Sequence, residues 1–448
     1  MPPRDLARFL PAWQGVGTGL RSRLRGVDGV LRAVEQLAGA VVPASALEPL
    51  VLANRVEGYS PAMLDELTAA GEVLWAGHGS LTGDDGWVSL HPADLAPLTL
   101  PDPAESEIGL DTDTHRAVLE ALGGGGAYFF RALSDSVGSV DDPGLTAVLW
   151  DLLWAGHVTN DTLAPLRNRL GGGRGAHRGK KAAPRTRYAR PGRSGLRVPR
   201  AELPARGGPP SAAGRWSLLP PVETDATVRA HATAEVLLDR HGVLTRGAVA
   251  SERVPGGFAA VYRVLAAFEE AGRARRGYFV EGLGASQFAT TGAVDRLRDS
   301  ARPLGGASPS QRRDGREDTG PGAVVLAATD PANPYGAALG WPDRPEQAAG
   351  ATGHRPGRKA GALVVVVDGD LALYVERGGR SVLSWTDDTT VLQPAADALA
   401  LAVRDGVLGK LTVEKADGAE VLAADSALGS ALEAAGFHAT PRGLRIRT

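Results

Sequence analysis

Three arginines within four positions, Arg273, Arg275 and Arg276, run directly into Tyr278 and Phe279. A guanidinium presents its donors in a fixed fork that matches phosphate oxygens, and an adjoining ring offers a face on which an unpaired base can stack. The pattern suits sequence-independent contact with a nucleic-acid backbone, which makes Arg273, Arg275, Arg276 and Tyr278 candidate binding residues. A second basic source lies between Arg167 and Arg200, where 12 Lys and Arg occur without one Asp or Glu. Lys180, Lys181, Arg185 and Arg187 are candidates there, because polycations bind phosphate chains by releasing counterions. The same Gly- and Pro-rich composition also makes a solvated tether, and both readings stay open. Two acids are candidate catalytic groups: Asp330 in Thr-Asp-Pro-Ala-Asn-Pro-Tyr, and Asp368 before Gly369. Loop capping and turn geometry are the favoured roles for them.

Other chemistry is missing at the level of residue type. A nucleotide-binding loop needs Gly-x-x-x-x-Gly-Lys-Ser/Thr, whose amides cradle phosphates. The nearest approach is Gly179-Lys180, but Arg174 stands where the first glycine belongs and Lys181 replaces the hydroxyl. There is no Asp-Glu-x-His box, and no Gly-x-Ser-x-Gly elbow precedes a helix. His78, His91, His157, His231, His241, His354 and His438 are scattered without an i, i+4 pair or a third ligand, and read as surface or satisfied core. With no cysteine in the chain, disulfides and thiolate metal sites are excluded. No cofactor and no metal is expected, and the chain has no ATP-driven motor of its own.

The basic aromatic run needs a scaffold, and the residues before it supply one. Ala234, Leu237 and Leu238 mark a first helix that stops at Gly242, a residue free to enter the left-handed region. A short second helix follows Thr245. Phe258, Val261, Tyr262, Leu265 and Phe268 then fall at the spacing of one buried stripe, predicting a third helix over 257–271 that ends at Gly272. Two helices, a third, and a basic strand form a winged-helix module, most often a nucleic-acid device. The outward face of that third helix carries Arg263, Ala266, Glu269 and Glu270. Its carboxylates would repel phosphates, so the wing is the better contact than the helix.

The phrase recurs. Leu64 to Trp75 and Leu149 to Val158 each put an apolar helix, then Ala-Gly, then a strand. Ser60-Pro61 and Asp142-Pro143 offer a capping residue with proline at the first helical position. An array follows: a winged-helix unit over 1–103, with Val30, Leu31, Val34 and Leu37 as its first stripe and a hairpin through Gly83-Asp84-Asp85-Gly86; a second over 104–166, with Tyr128-Phe129-Phe130 in its core; a basic linker over 167–213; a third unit over 214–299; and a linker over 300–321. From 322 to 448 the pattern turns to period 2. Asp368-Gly369 separates two β-rich runs, a strong hairpin signal. Helices near 395–404 and 427–435 and strands near 411–414 and 444–447 complete an α+β domain.

Over its whole length, from Arg8-Phe9-Leu10-Pro11-Ala12-Trp13 through Gly256-Gly257-Phe258 to Asp330-Pro331-Ala332-Asn333-Pro334-Tyr335-Gly336, the chain resembles the C-terminal part of actinobacterial Lhr-type, large helicase-related proteins. That family joins a superfamily 2 helicase motor to winged-helix modules and a β-barrel and is involved in DNA repair. The resemblance therefore implies a β-barrel-like domain with flanking helices over 322–448, DNA as partner, a motor in cis or as a separate subunit, and a homo-oligomer. It implies a fragment or a standalone relative rather than a whole helicase. A more distant similarity is to crosslink-repair alkylpurine DNA glycosylases, carried by Val34–Ala44, Asn54-Arg55-Val56 and Tyr59. Where that family has its catalytic Gln-x-Gln or Gln-x-Asp pair, this sequence has Val42 and Ala44, which speaks against alkyl-base excision through that motif. Excision of uracil, which would need a carboxylate to activate water and a pocket for a flipped base, remains the alternative to a DNA-binding and assembly role. The absence of a long apolar run or signal peptide, with 43% hydrophobic residues and a net charge of −2, points to a cytoplasmic, nucleoid-associated protein away from membranes.

Overall fold

The computed structural model describes residues 1–17, 24–103, 106, 108–172, 208–301, 322–344, 355–423 and 426–447. Three units share one topology. The first follows α1 (Pro3–Trp13) and β1 (Leu24–Arg25): α2 (Gly26–Gln36), β2 (Val42–Pro43), α3 (Ala44–Ala46) running into a π-helical turn at Leu47–Leu52, β3 (Val56–Glu57), α4 (Pro61–Ala70), β4 (Val73–Leu81) and β5 (Asp85–Pro92). Its sheet is ordered β2-β5-β4, antiparallel. Val30, Val34 and Leu37 are buried as the stripe required, and Gly71 closes α4 at φ +77°. Ser60 sits at the N-cap of α4 with Pro61 as its first residue, yet its hydroxyl does not bond the helix.

After α5 (Ala96–Thr99), the second unit comprises α6 (Asp113–Gly123), β6 (Tyr128–Phe129), α7 (Phe130–Ser136), α8 (Asp142–Trp154), β7 (Val158–Asn160), α9 (Ala164–Gly172) and β8 (Arg215–Leu218), with sheet order β6-β8-β7. Residues 214–218 fall inside the 214–299 range expected for the third unit. Trp216 instead pairs with both Tyr128 and Asn160, so the basic segment lies between two strands of the second unit. Its first residue is also no tether: Arg167 is ion-paired to Glu48 at 2.8 Å and Asp65 at 2.6 Å. The cap of α8 is Asp141, one residue before the expected one. Of the three aromatics expected in the core only Phe130 is buried; Phe129 is 61% exposed, because it ends an edge strand with its side chain outward.

The third unit comprises α10 (Ala226–His241), β9 (Val243–Leu244), α11 (Arg246–Ser251), α12 (Gly257–Glu270), β10 (Arg275–Gly277), β11 (Gln287–Ala289) and a trailing α13 (Thr291–Ser300), in the order β10-β11-β9. Thr245 caps α11, and Gly242 and Gly272 carry the positive φ that their positions demand. Leu6, Phe9 and Leu10 of α1 join the core of this unit rather than that of the first, and the Trp13 indole donates to the Asp239 carbonyl.

The C-terminal unit contains β12 (Ala323–Ala327), β13 (Leu363–Val367), β14 (Asp370–Val375), β15 (Ser381–Ser384), α14 (Thr389–Arg404), β16 (Leu411–Val413), β17 (Lys415–Ala416), β18 (Ala419–Glu420), α15 (Ala427–Ala434), β19 (His438–Thr440) and β20 (Gly443–Ile446). Among the described residues the main sheet is open rather than a closed barrel, ordered β12-β13-β14-β15-β17-β18, with β16-β20-β19 as a separate small sheet. Leu392, Leu399 and Val403 of α14 cover one face, against Val365 and Leu373, so a helix buries apolar side chains that barrel closure would otherwise enclose. The Asp368-Gly369 turn is present, both residues at positive φ.

The units are fused. The first and second share one hydrophobic core, the third and the β13–β15 region another, and Ala46 and Leu50 of the first unit enter the core beneath α14. Arg55 and Asp330, each wholly buried, form a two-point ion pair at 2.7 and 3.1 Å between the first and C-terminal units.

Candidate nucleic-acid interface and central cavity

The wing of the third unit holds its arginines unequally. Arg273 is ion-paired to Glu235 and stacks over the Phe268 ring at 4.4 Å. Arg276 is 3.2 Å from Glu269 and donates to the Tyr262 hydroxyl. The carboxylate expected to repel DNA is thus partly neutralised by the wing itself. Arg275 is exposed on edge strand β10 and has no ion-pair partner among the described residues. The Tyr278 ring is 58% exposed, its hydroxyl accepting from the Gly282 amide. Lys180, Lys181, Arg185 and Arg187 lie outside the described residues.

The two candidate acids are both committed to structure. Asp330 accepts from Arg55 through both oxygens and from the Ala332 amide, with no exposed surface. Asp368 occupies the β13–β14 turn, where Arg4 and Arg8 of α1 donate to its carboxylate at 2.9 and 2.7 Å. Sequence alone gave no view of Arg55, Arg4 or Arg8, which lie hundreds of positions away.

What the sequence did not indicate is a cavity of about 560 Å³ where the first, third and C-terminal units meet. The first unit contributes Val41, His78, Trp87 and Thr99; the third contributes Arg229 and Arg240 of α10 and the α11–α12 turn from Ala250 to Pro255; the C-terminal unit contributes Thr329 and Arg358. Local packing explains why the β4–β5 hairpin faces it. A Cβ on Gly77 would sit 2.4 Å from the Leu153 carbonyl, and one on Gly86 would sit 2.4 Å from the Trp154 ring. Glycine at both positions lets α8 close tightly on that face, together with buried Trp75, whose indole donates to the Asn160 carbonyl. The alternate side chains, His78, Trp87, Ser89 and His91, therefore project toward α5 and the cavity. Arg377 holds the hairpin tip by donating to the Thr82 carbonyl.

Glu252 lines this cavity between Arg240 and His241, the latter donating from Nε2 at 2.8 Å. Burial alone would raise its carboxyl, but the Arg240 charge, then the His241 hydrogen bond, outweigh burial and hold it well below the usual carboxylate range. Arg358 donates to four backbone carbonyls, those of Thr329, Asp330, Asn333 and Tyr335, and burial draws its guanidinium down to about 10 against the opposing charges of Glu252 and Asp330. Burial also brings His78 down to about 4 and, aided by the charges of His78 and Arg240, His91 down to about 3. Both rings are neutral at ordinary pH. Val42 and Ala44, the positions set against the alkylpurine glycosylase motif, are buried in β2 and α3 and are not among the residues lining the cavity. Among the described residues no three His, Asp or Glu gather as a metal site, and no helix is long and apolar enough to cross a membrane.

Three units with the order helix, strand, two helices and two further strands, each with its last strand central and the second with an insertion between its final two strands, define a tandem winged-helix protein. Residues 1–93 match the third winged-helix domain of the large helicase-related protein, and residues 223–308 match the fourth. The chain is 52% identical over 452 residues to the Lhr helicase/probable uracil glycosylase of Mycolicibacterium smegmatis, covering 98% of this chain and 28% of that protein. It is 39% identical over 425 residues to the Lhr helicase/uracil glycosylase of Escherichia coli, covering 94% and 26%. The chain carries winged-helix domains of the large helicase-related type and matches the C-terminal part of those proteins, spanning about a quarter of their length. Among solved structures it is similar to the DNA glycosylase AlkZ of Streptomyces sahachiroi, at a TM-score of 0.48 and 14% identity, over 93% of this chain and 99% of that one.

Proposed function

We propose that this chain is the DNA-engaging and assembly region of an Lhr-type ATP-dependent DNA helicase acting in DNA repair, with the motor in cis or on a separate subunit. The observation that carries this is the match over 98% of the chain to the C-terminal part of an Lhr protein. Exposed Arg275 on the third wing supplies backbone affinity and Tyr278 beside it a stacking face, and Lys180, Lys181, Arg185 and Arg187 add positive charge from the basic segment. Binding is then weak in sequence preference and steep in salt. Titrating single-stranded and duplex DNA across a range of salt, with Lys180, Lys181, Arg185 and Arg187 changed together to Gln, tests it. A shallower slope is expected, and no DNA binding at any salt contradicts the proposal. Assembly into homo-oligomers is part of the same proposal, and sedimentation velocity reads it.

A second reading, excision of uracil, is favoured by the cavity. It offers an aromatic surface, neutral imidazole and an ionised carboxylate at one place, and both relatives carry uracil glycosylase in their names. The carboxylate to examine is Glu252 rather than Asp330 or Asp368, because the latter two are tied to Arg55, Arg4 and Arg8 outside the cavity. Release of free uracil from a uracil-containing strand, lost in Glu252→Gln with DNA affinity retained, would support excision. No release by the unaltered chain would remove it and leave the DNA-binding reading standing.

A further inference from the structure

Four side chains form an unbroken hydrogen-bonded row behind the cavity. His78 Nε2 is 2.6 Å from Ser89 Oγ, Ser89 Oγ is 2.6 Å from His91 Nε2, and His91 Nδ1 is 2.8 Å from Thr99 Oγ1. Thr99 Oγ1 in turn donates to the Leu95 carbonyl at 2.9 Å. A carbonyl can only accept, so this last bond fixes every proton in the row. The Thr99 hydroxyl spends its hydrogen on Leu95 and must accept from His91 Nδ1–H. His91 is neutral, so its Nε2 is a lone pair that takes the Ser89 hydrogen. Ser89 Oγ then accepts, and His78 must carry its hydrogen on Nε2. The edge of His78 left for anything in the cavity is therefore Nδ1, as a bare acceptor.

The surroundings restrict what could use that acceptor. Trp87 follows the bulge in β4 on the neighbouring strand, lines the same cavity, and makes no ring–ring contact among the described residues. Arg253, exposed in the α11–α12 turn at φ +53°, stands at the wall with no ion pair among the described residues, and Arg229 of α10, donating to the Leu100 carbonyl, lines the same cavity. The cavity's volume falls within the range of about 300–1,000 Å³ usual for small-ligand sites. A planar ring, a ring N–H and a phosphate together match this set; a carboxylate or a bare acceptor heterocycle does not.

We propose that the cavity receives a nucleobase extruded from DNA, stacked on Trp87, and that His78 Nδ1, held as an acceptor by Ser89, His91 and Thr99, selects bases with a ring N–H such as the imide of uracil. This rests on the DNA-engaging reading above and holds whether or not the base is then excised. The probe is a short single strand with one central 2′-fluoro-2′-deoxyuridine, which resists cleavage, compared with the same strand carrying N3-methyluracil or an abasic analogue there. Fluorescence anisotropy with the full chain should show the uracil strand binding about tenfold tighter than the N3-methyl strand, as expected when one buried donor keeps its acceptor. In His78→Phe the two strands should bind alike. In Ser89→Ala, where the tautomer is released, the difference should shrink, and nitrogen NMR of the histidines should show Nδ1 of His78 no longer wholly unprotonated. If His78→Phe fails to fold, the ratio in the unaltered chain and the Ser89→Ala result decide. Equal binding of uracil and N3-methyluracil by the unaltered chain overturns the proposal. Equal binding of all three strands overturns it together with the base pocket, and absence of binding to any strand sinks the underlying DNA reading instead.

Discussion

The hairpin of the first unit and that of the third occupy the same topological place, yet they present opposite surfaces. Strands β4 and β5 run nine and eight residues, and their alternate polar side chains face inward onto a cavity closed by two other units. Strands β10 and β11 run three residues each, and Arg275 on β10 and Tyr278 directly after it face solvent. The winged-helix fold supplies the hairpin, while its neighbours decide what the hairpin is for. Where α8 and the C-terminal unit clamp it, desolvated histidines and a serine can keep one fixed proton arrangement. Where nothing covers it, only charge and an aromatic face are left to act.

The largest effect should come from loosening the clamp. Arg55→Ala or Asp330→Ala leaves an unpaired charge fully buried between the first and C-terminal units, and denaturant titration should show a loss of about 3–5 kcal/mol. Gly86→Ala is expected to cost less, about 1–3 kcal/mol, because the Trp154 ring must shift to admit a methyl group. Substituting Gly282 with Ala on the exposed wing would meet no neighbour, though its positive φ costs something by itself.

Acidity separates the two hairpins further. His78 and His91 titrate near 4 and 3 in the fold against about 6.5 in an unfolded chain, so the unfolded state takes up protons first as pH falls. Their contribution is complete above about 6.5 and is lost progressively as pH drops toward about 3. The melting temperature should follow that course, and His91→Gln should flatten it. Smallest of all, Arg275→Ala should lower the slope of log affinity against log salt by about one, with Arg273→Ala and Arg276→Ala changing it less because Glu235 and Glu269 already hold those charges.

Much of the frame was legible in the sequence because it is local. The stripe from Phe258 to Phe268, the left-handed glycines Gly242 and Gly272, and the Asp368-Gly369 turn each depend on residues a few positions apart. Return of the chain at Arg215 to complete the second sheet was not legible, since a long basic excursion separates β7 from β8. The arginine run looked uniformly free because its partners, Glu235 on α10 and Glu269 on α12, belong to other helices. His78 and His91 were read as isolated, yet one signal was available. In a hairpin through Gly83 to Gly86, period-2 alternation puts His78, Trp87, Ser89 and His91 on one face. Glu252, Arg240 and Arg358 had no such signal, for the cavity exists only after three units have packed.

Photocrosslinking tests directly whether the covered hairpin, rather than the open wing, holds the base. A single strand with one 5-iodouracil, bound to the full chain, irradiated and digested, should yield adducts on peptides containing Trp87 or His78. Adducts confined to Tyr278 and the α12–β10 region of the third unit, with none on β4 or β5, would contradict the account.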